Sequence, residues 1–230
     1  MLQPLIESDV CFIVSRLPKD IRDLLVKYPT LMVAGGFIRS TIAGERVSDI
    51  DIFGPGKDML KYAAQEIALN RKGRIHETDN AITVLTSSRM PLQFITRWLY
   101  ETPTGLVESF DYTICQAVIG LQDKKWVGYC SDMFYPDLAA RRLNYTAPDR
   151  NEDAGGSILR MRKFLSKGYT IQANSMAKVI ARLVYKIDFS KVTTEKEIAR
   201  ILVSLLREVD PLTVIDGIEM IDDHDINGVR

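Results

Sequence analysis

The chain is organised around the stretch Leu31–Gly54, which reads Leu-Met-Val-Ala-Gly-Gly-Phe-Ile-Arg-Ser-Thr-Ile-Ala-Gly-Glu-Arg-Val-Ser-Asp-Ile-Asp-Ile-Phe-Gly. The pattern predicts a short apolar strand, a glycine turn, one helix and a second strand. Gly35 and Gly36 lack a Cβ, so the backbone there can bend sharply and approach a phosphate closely. The N–H groups at the start of the following helix point to the same place.

Two carboxylates lie on the second predicted strand, where Asp49 and Asp51 alternate with Ile50 and Ile52. Residues two apart on a strand share one face, so the carboxylates point together with their Cα atoms about 7 Å apart. Ionised acids in a core strand are costly unless something binds them. Two carboxylates beside a phosphate-binding turn therefore predict a site for Mg²⁺ or Mn²⁺ bound to a triphosphate.

The composition is that of a globular protein with a substantial core: 230 residues, 46% of them hydrophobic and 26% charged. Lys+Arg and Asp+Glu are equal at 30 each, which argues against a wholly basic protein that coats nucleic acid. Basic residues nevertheless cluster from Arg141 to Lys167 and could hold an RNA backbone. The 3 cysteines have neither disulfide nor metal-ligand spacing and predict buried, reduced thiols. No apolar run reaches the roughly 18 residues that a membrane span needs, and we expect a cytoplasmic protein.

The predicted elements divide the chain into an α/β head and a helical tail. Helices broken at Pro18 precede the glycine turn, and a helix over 58–70 follows it. Further strands are predicted over 81–86, 92–98, 110–120 and 126–130, and the last two of these form a hairpin. Helices are predicted over 137–143, 157–167, 175–187, 194–209 and 212–221. The fold class is therefore α/β (α+β), with a small mixed sheet flanked by helices. We place the head at residues 1–147 and a helical neck-like region at residues 148–230.

Four ordered segments resemble the polymerase-β-like nucleotidyltransferase superfamily, in its branch of CCA-adding tRNA nucleotidyltransferases and bacterial poly(A) polymerases. Ala34–Arg39 followed by Ser48–Phe53 is similar to the family's Gly-Gly-x-x-Arg-Asp and Asp-x-Asp. Phe110–Ala117 resembles its Arg-Arg-Asp-Phe-Thr-Ile-Asn-Ala, Asp137–Leu143 its Asp-Leu…Leu-Arg, and Ser157–Phe164 its Arg-Ile-Leu-Arg-Ala-Ile-Arg-Phe. On these motifs the chain is identified as a compact member, phage-type or otherwise divergent.

The resemblance implies a metal-dependent transfer of a nucleoside monophosphate from ATP or CTP to an RNA 3′ end, that of tRNA, with release of pyrophosphate. It implies that Asp49 and Asp51 bind the metal ion, and it makes Asp111 the candidate for a further catalytic carboxylate. The nucleotide-binding residues that it implies are Gly35, Gly36, Arg39, Arg160 and Lys163. The RNA-binding residues are Arg141 and Arg142.

Two departures from the family pattern leave alternatives open. Ser40 stands where the family has an aspartate, and Gln93 stands where a third carboxylate is expected. Either two carboxylates suffice, or Asp111 is the third, or catalysis is weak. The alternatives are transfer to a protein or a small molecule, and a non-catalytic relative that binds nucleotide or RNA.

Overall fold

The structure is a computed structural model, and it describes residues 2–148, 154–185, 187–192 and 194–209. The chain divides into two compact units, Met1–Ala140 and Arg141–Arg230. The sequence placed the boundary seven residues later, after residue 147. In the described residues no helix is long and apolar enough to cross a bilayer.

The first unit alternates helices and strands, as the sequence predicted. Its helices are α1 (Glu7–Arg16), α2 (Lys19–Lys27), α3 (Gly36–Ile42), α4 (Lys57–Arg71), α5 (Pro103–Glu108) and α6 (Phe134–Ala139). Its strands are β1 (Leu2–Pro4), β2 (Met32–Ala34), β3 (Ile50–Phe53), β4 (Arg74–Glu77), β5 (Ala81–Leu85), β6 (Leu92–Ile95), β7 (Ala117–Gln122) and β8 (Lys125–Ser131). Pro18 separates α1 from α2, since proline cannot continue a helix. Thr102 caps α5 by accepting a hydrogen bond of 3.2 Å from the Gly105 N–H.

The strands form one mixed sheet in the order β1-β8-β7-β2-β3-β6-β5-β4. β3 runs parallel to β6 and antiparallel to β2. This arrangement confirms the predicted fold class, although the sheet is larger than expected because β1 and β4 were not predicted. Both strands are short and lie at the two edges of the sheet, where few apolar residues mark them.

The two faces of the sheet differ in what covers them. One face carries fully buried residues such as Ile52, Phe94 and Val84 and packs against α4. On the other face α5 covers β2, β7 and β8, where Leu106 and Val107 contact Met32, Phe53 and Val118. We call the part of this second face on β3, β6, β5 and β4 the open face; at one end of it Phe53 and Ile95 pack into the α5 cluster.

Two predicted elements need correction. The predicted strand over 110–120 begins only at Ala117, because Thr113–Cys115 forms a 3₁₀ turn and the side chain of Gln116 donates a hydrogen bond of 3.2 Å to the Phe110 carbonyl. The helix predicted over 137–143 ends at Ala139.

The prediction of buried thiols holds for Cys115 and Cys130 but is wrong for Cys11, which is exposed.

The second unit consists of a two-stranded sheet and three helices. The strands β9 (Arg142–Leu143) and β10 (Thr170–Ile171) pair in parallel, and the helices are α7 (Ala154–Ser166), α8 (Ala173–Val184) and α9 (Glu195–Val209). The Arg141 guanidinium donates to the Lys167 carbonyl at 2.9 Å and lies 5.4 Å from the centre of the Tyr169 ring. The helix predicted over 212–221 lies outside the described residues.

A buried ion pair ties α2 to α4 in the first unit. Arg71, with 1% of its side chain exposed, donates from Nε and Nη2 to the two carboxylate oxygens of Asp20 at 2.6 and 3.0 Å, and from Nη1 to the Met90 carbonyl at 3.3 Å. Burial raises the pKa of Asp20, but the hydrogen bond and charge of Arg71, together with the charge of Arg89, outweigh it and hold that pKa below its ordinary value of 3.8.

We expect Asp20→Asn to lower the free energy of unfolding by about 2 kcal/mol at pH 7, because it leaves the buried Arg71 charge uncompensated. Since folding lowers the pKa of Asp20, its stabilisation is complete above the unfolded-state pKa and is lost as the pH falls through the folded-state pKa. The difference between wild type and variant should therefore shrink in acid, as urea unfolding at neutral and acidic pH can measure. Asp23→Asn, which breaks an exposed pair with Lys19, is the matched control and should cost less than about 0.5 kcal/mol. A cost that does not change with pH would contradict this assignment.

Candidate nucleotide site

The glycine turn between β2 and α3 has a backbone conformation that requires glycine at its first position. Gly35 has φ +75° and ψ −125°, and its N–H donates to the Ala117 carbonyl at 3.0 Å. A Cβ on Gly35 would lie 3.1 Å from the ring of Phe110, which itself packs edge-on against Phe53. The turn is therefore held from both sides, by β7 and by an aromatic side chain.

Gly35→Ala should lower the free energy of unfolding by about 2–3 kcal/mol, because it combines a strained backbone with a crowded Cβ. Gly44→Ala is the matched control: Gly44 also has a positive φ, +66°, but no atom lies within 4 Å of its Cβ position. We expect the control to cost about 1 kcal/mol, from the backbone alone. Urea unfolding of both variants gives the comparison. Equal losses of unfolding free energy would mean that the Phe110 ring moves aside without a measurable loss of stability.

The register of the sheet brings Asp51 beside Gln93. Asp51 is paired with Ala34 on one side and with Gln93 on the other, so these three side chains share one face of the sheet, and Asp51 and Gln93 lie on its open part. Asp49 lies two residues before Asp51, just ahead of β3, and accepts a hydrogen bond of 2.8 Å from the Ser48 hydroxyl. Because β2 and β3 are antiparallel, the residues that follow Ala34 run beside those that precede Asp51. The glycine turn and Asp49 therefore lie at the same end of the strand pair.

The donor set at this end fits a magnesium ion. Asp49, Asp51 and Gln93 are all half-buried and offer carboxylate and amide oxygens, the ligands that Mg²⁺ takes. Mg²⁺ also keeps several waters and is commonly held by one or two carboxylates together with substrate phosphates. Among the described residues no group of three His, Cys, Asp or Glu side chains is placed to hold a metal ion. The residue paired with Asp51 on the neighbouring strand β6 is Gln93, so an amide and not a third carboxylate lies beside Asp51.

Arg39 lies beneath the glycine turn. Only 6% of it is exposed, and its guanidinium contacts Ser40 Oγ at 3.0 Å and Cys115 Sγ at 3.6 Å and lies 3.9 Å from a Glu45 carboxylate oxygen. Its Nη2 lies 3.8 Å from the Cβ position of Gly36. Ser40, the departure from the family pattern, thus accepts a hydrogen bond from Arg39. These contacts indicate that Arg39 supports the turn, and its contact with a triphosphate stays a prediction.

Asp111 follows Phe110 and precedes the 3₁₀ turn, with 6% of the residue exposed. Nearby on the chain, the Thr113 hydroxyl donates to a carboxylate oxygen of the fully buried Asp137 at 2.6 Å, which joins the 3₁₀ turn to α6. This contact gives the Asp-Leu segment a structural role. The catalytic role of Asp111 stays a prediction.

The remaining predicted residues belong to the second unit. Arg160 and Lys163 are half-buried on α7, Arg142 is half-buried on β9, and Arg141 is exposed. Arg141 adopts a positive φ of +47° and bonds the end of α7, so part of its role is to shape this unit. Roles in nucleotide or RNA binding stay predictions for all four.

Two residues at the turn were not predicted from the sequence, Phe110 and Glu45. Phe110 reaches Gly35 across 75 positions of the chain, and Glu45 joins Arg39 from the loop after α3. Neither contact follows from spacing or periodicity. The one feature of the sequence that could have indicated Phe110 is its position directly before Asp111, at the start of the family-like segment Phe110–Ala117.

A family model described as Gad2, Gabija anti-defense 2 family protein, matches residues 9–141. That match covers more than half of the 230 residues and nearly the whole first unit. The comparison with curated proteins gave no match.

Solved structures of nucleotidyltransferases resemble the chain in fold. The CCA-adding enzyme of Thermotoga maritima in complex with tRNA has a TM-score of 0.59 at 20% identity, over 92% of this chain and 52% of that one. A CCA-adding enzyme with ATP gives 0.58 at 17% identity, over 92% and 53%. A tRNA nucleotidyltransferase with a primer tRNA and an ATP analogue gives 0.52 at 16%, over 82% and 60%. The chain thus spans about half the length of the first two, and it has the nucleotidyltransferase fold.

Proposed function

We propose that this chain, which belongs to the Gabija anti-defense 2 family, is a metal-dependent nucleotidyltransferase. The observation that supports this most directly is the placement of Asp49, Asp51 and Gln93 at the end of the sheet where the Gly35–Gly36 turn lies. The fold shared with CCA-adding enzymes supports the same reaction class.

The reaction is transfer of a nucleoside monophosphate from a nucleoside triphosphate. A hydroxyl oxygen of the acceptor forms a bond to the α-phosphorus, the bond from that phosphorus to the bridging oxygen breaks, and pyrophosphate leaves while the hydroxyl proton passes to solvent. Asp49 and Asp51 would hold the metal ion with the triphosphate, and the amide of Gln93 would offer a further oxygen beside Asp51. A bound Mg²⁺ would supply neutralisation of the phosphate charge. The glycine turn, supported by Arg39, lets the phosphates approach the backbone.

The acceptor that we favour is an RNA 3′ end, that of tRNA, with ATP or CTP as donor. The similar solved structures include complexes with tRNA, with ATP and with CTP. The family description points to action against a defence called Gabija. We propose that the transfer serves this action by altering an RNA.

A second candidate has a protein hydroxyl as the acceptor. The family description favours it, because a nucleotide added to a component of a defence would change that component directly. A third candidate, nucleotide binding without transfer, is favoured by Gln93, since an amide carries no charge to balance the metal ion.

Labelled nucleotides separate these candidates. We would incubate the chain with Mg²⁺, total RNA, cell protein and ATP or CTP labelled at the α-phosphate, and in parallel with the γ-labelled compounds. Label from the α-phosphate in RNA, with none from the γ-phosphate, is the expected result. The same pattern in protein selects the second candidate. Label from the γ-phosphate in either acceptor would contradict nucleotidyl transfer.

The non-catalytic candidate needs a binding measurement. Calorimetric titration with ATP, with and without Mg²⁺, would show metal-dependent affinity in all three cases. Affinity with no label in any acceptor selects the non-catalytic candidate. No metal-dependent affinity would overturn the proposed site.

A further inference from the structure

A row of side chains crosses the open face from Asp51 to the edge of the sheet. Asp51 is paired with Gln93, Gln93 with Thr83, and Thr83 with His76. Directly paired residues point to the same side of a sheet, so these four side chains line one face. Three strand spacings separate Asp51 from His76, a distance of about 14 Å.

A neighbouring position adds a cation, Arg74, to the outer part of this face. Arg74 lies two residues before His76, so it shares the face, and it is paired with Leu85. Arg74 and His76 are exposed and Leu85 is half-buried. The acid on β4, Glu77, points to the opposite face, where it pairs with Lys61 of α4 at 3.2 Å. On β6, β5 and β4 the open face therefore carries one arginine together with polar and apolar side chains, and no carboxylate among the described residues.

We propose that this part of the open face binds a single-stranded RNA whose 3′ end reaches Asp51 and Gln93. The inference rests on the proposed function and assigns its acceptor a path. Arg74 and His76 would contact backbone phosphates, which cationic and N–H donor side chains bind without regard to sequence. Half-buried Leu85 offers apolar surface that a base can contact. At one phosphate per about 3.4 Å of a stacked strand, the row accommodates about four nucleotides.

The charges on this face favour RNA over a protein acceptor. Asp51, the carboxylate that β3 places on the open face, lies at the metal end, and Asp49 directly precedes β3 at the same end. The remaining charge on the open face of strands β6, β5 and β4, Arg74, is suited to a polyanion, and the row of about 14 Å accommodates a stacked single strand of RNA that approaches the site from the sheet edge.

The test measures RNA affinity independently of transfer. A short single-stranded RNA of mixed sequence, labelled with fluorescein at its 5′ end, is titrated with wild type, R74A/H76A and K61A over a range of salt concentrations. Lys61 is likewise an exposed cation, and it bonds to the same strand, β4, from the opposite face, so K61A is the matched control. Calorimetric titration with ATP and Mg²⁺ and circular dichroism confirm that each variant keeps the nucleotide site and the fold.

We expect R74A/H76A to bind the RNA about tenfold more weakly, with ATP affinity unchanged and K61A like wild type. Loss of one cationic contact should also reduce the slope of log affinity against log salt by about 0.7. Equal RNA affinity in R74A/H76A and K61A would overturn the inference. So would a wild-type chain that binds ATP with Mg²⁺ but no RNA, and that result would leave nucleotide transfer to a protein standing. A chain that binds RNA through Arg74 and His76 but no ATP would support the RNA path and overturn the proposed function.

Discussion

Asp49→Asn and Asp51→Asn, made together, should abolish nucleotide transfer. Asparagine keeps the size of the side chain and removes the negative charge that holds a metal ion beside a triphosphate. A metal ion contributes several kcal/mol to the stabilisation of the transferring phosphoryl group, and about 4 kcal/mol corresponds to about a thousandfold in rate. We expect transfer of α-phosphate label to fall by at least that factor, and the Mg²⁺-dependent part of the ATP affinity to disappear.

The control for this variant is Asp123→Asn. Asp123 lies exposed in the turn between β7 and β8 with φ +50°, a conformation that asparagine tolerates well. The control makes the same aspartate-to-asparagine substitution at a position far from the glycine turn along the chain. Nucleotide transfer should therefore stay at the wild-type rate. Urea unfolding of both proteins verifies that they are folded. Label transfer that survives in the double variant would remove Asp49 and Asp51 from the metal site.

Gln93→Glu should strengthen metal binding. Gln93 lies in the strand next to Asp51 and shares its face, so a carboxylate there would stand about 5 Å, measured between Cα atoms, from the one already present. A third negative charge near a divalent cation favours the bound state, and we expect Mn²⁺ affinity, measured by calorimetry in the absence of nucleotide, to rise about tenfold. If transfer in the wild type is limited by weak metal binding, its rate at low metal concentration should rise with that affinity.

Gln122→Glu is the matched control for this gain. Gln122 ends β7 and accepts a hydrogen bond of 3.1 Å from the Tyr129 hydroxyl, a contact that a glutamate preserves. The same charge is added on an exposed residue at another strand, and metal affinity should not change. Metal affinity that is unchanged, or lower, in Gln93→Glu would show that the amide of Gln93 has some task other than standing beside a metal ion.

Local patterns were enough to predict the strand–turn–helix–strand unit at the centre of the fold. The alternation at Asp49–Ile52 and the two glycines need only neighbours in sequence to be interpreted, and the break at Pro18 is equally local. Gln93 lies beside Asp51 because of the register between two strands, and the two residues are 42 positions apart in the chain. The alternation of side chains along either strand does not predict this register. For this reason the sequence identified Gln93 as a departure but could not predict which side chain it would face.

The elements that were mispredicted also depend on distant contacts. The apolar run over 110–120 has strong strand propensity, but side-chain hydrogen bonds from Gln116 and Thr113 stabilise a 3₁₀ turn in its first half. Arg142–Leu143 forms a strand only because Thr170–Ile171 is available as a partner. At the site itself, the contact of Phe110 with Gly35 is a tertiary contact that propensity does not predict.

The parallel pairing of β3 with β6 has a consequence for folding. Parallel strands cannot be joined by a tight turn, and here the chain passes through α4, β4 and β5 before β6 lies against β3. Closing this long segment costs chain entropy before Asp51 and Gln93 can meet, so we expect the pair to form after the local elements between them. A ligand that needs both side chains binds the native state alone and adds its binding free energy to the cooperative unfolding transition by mass action.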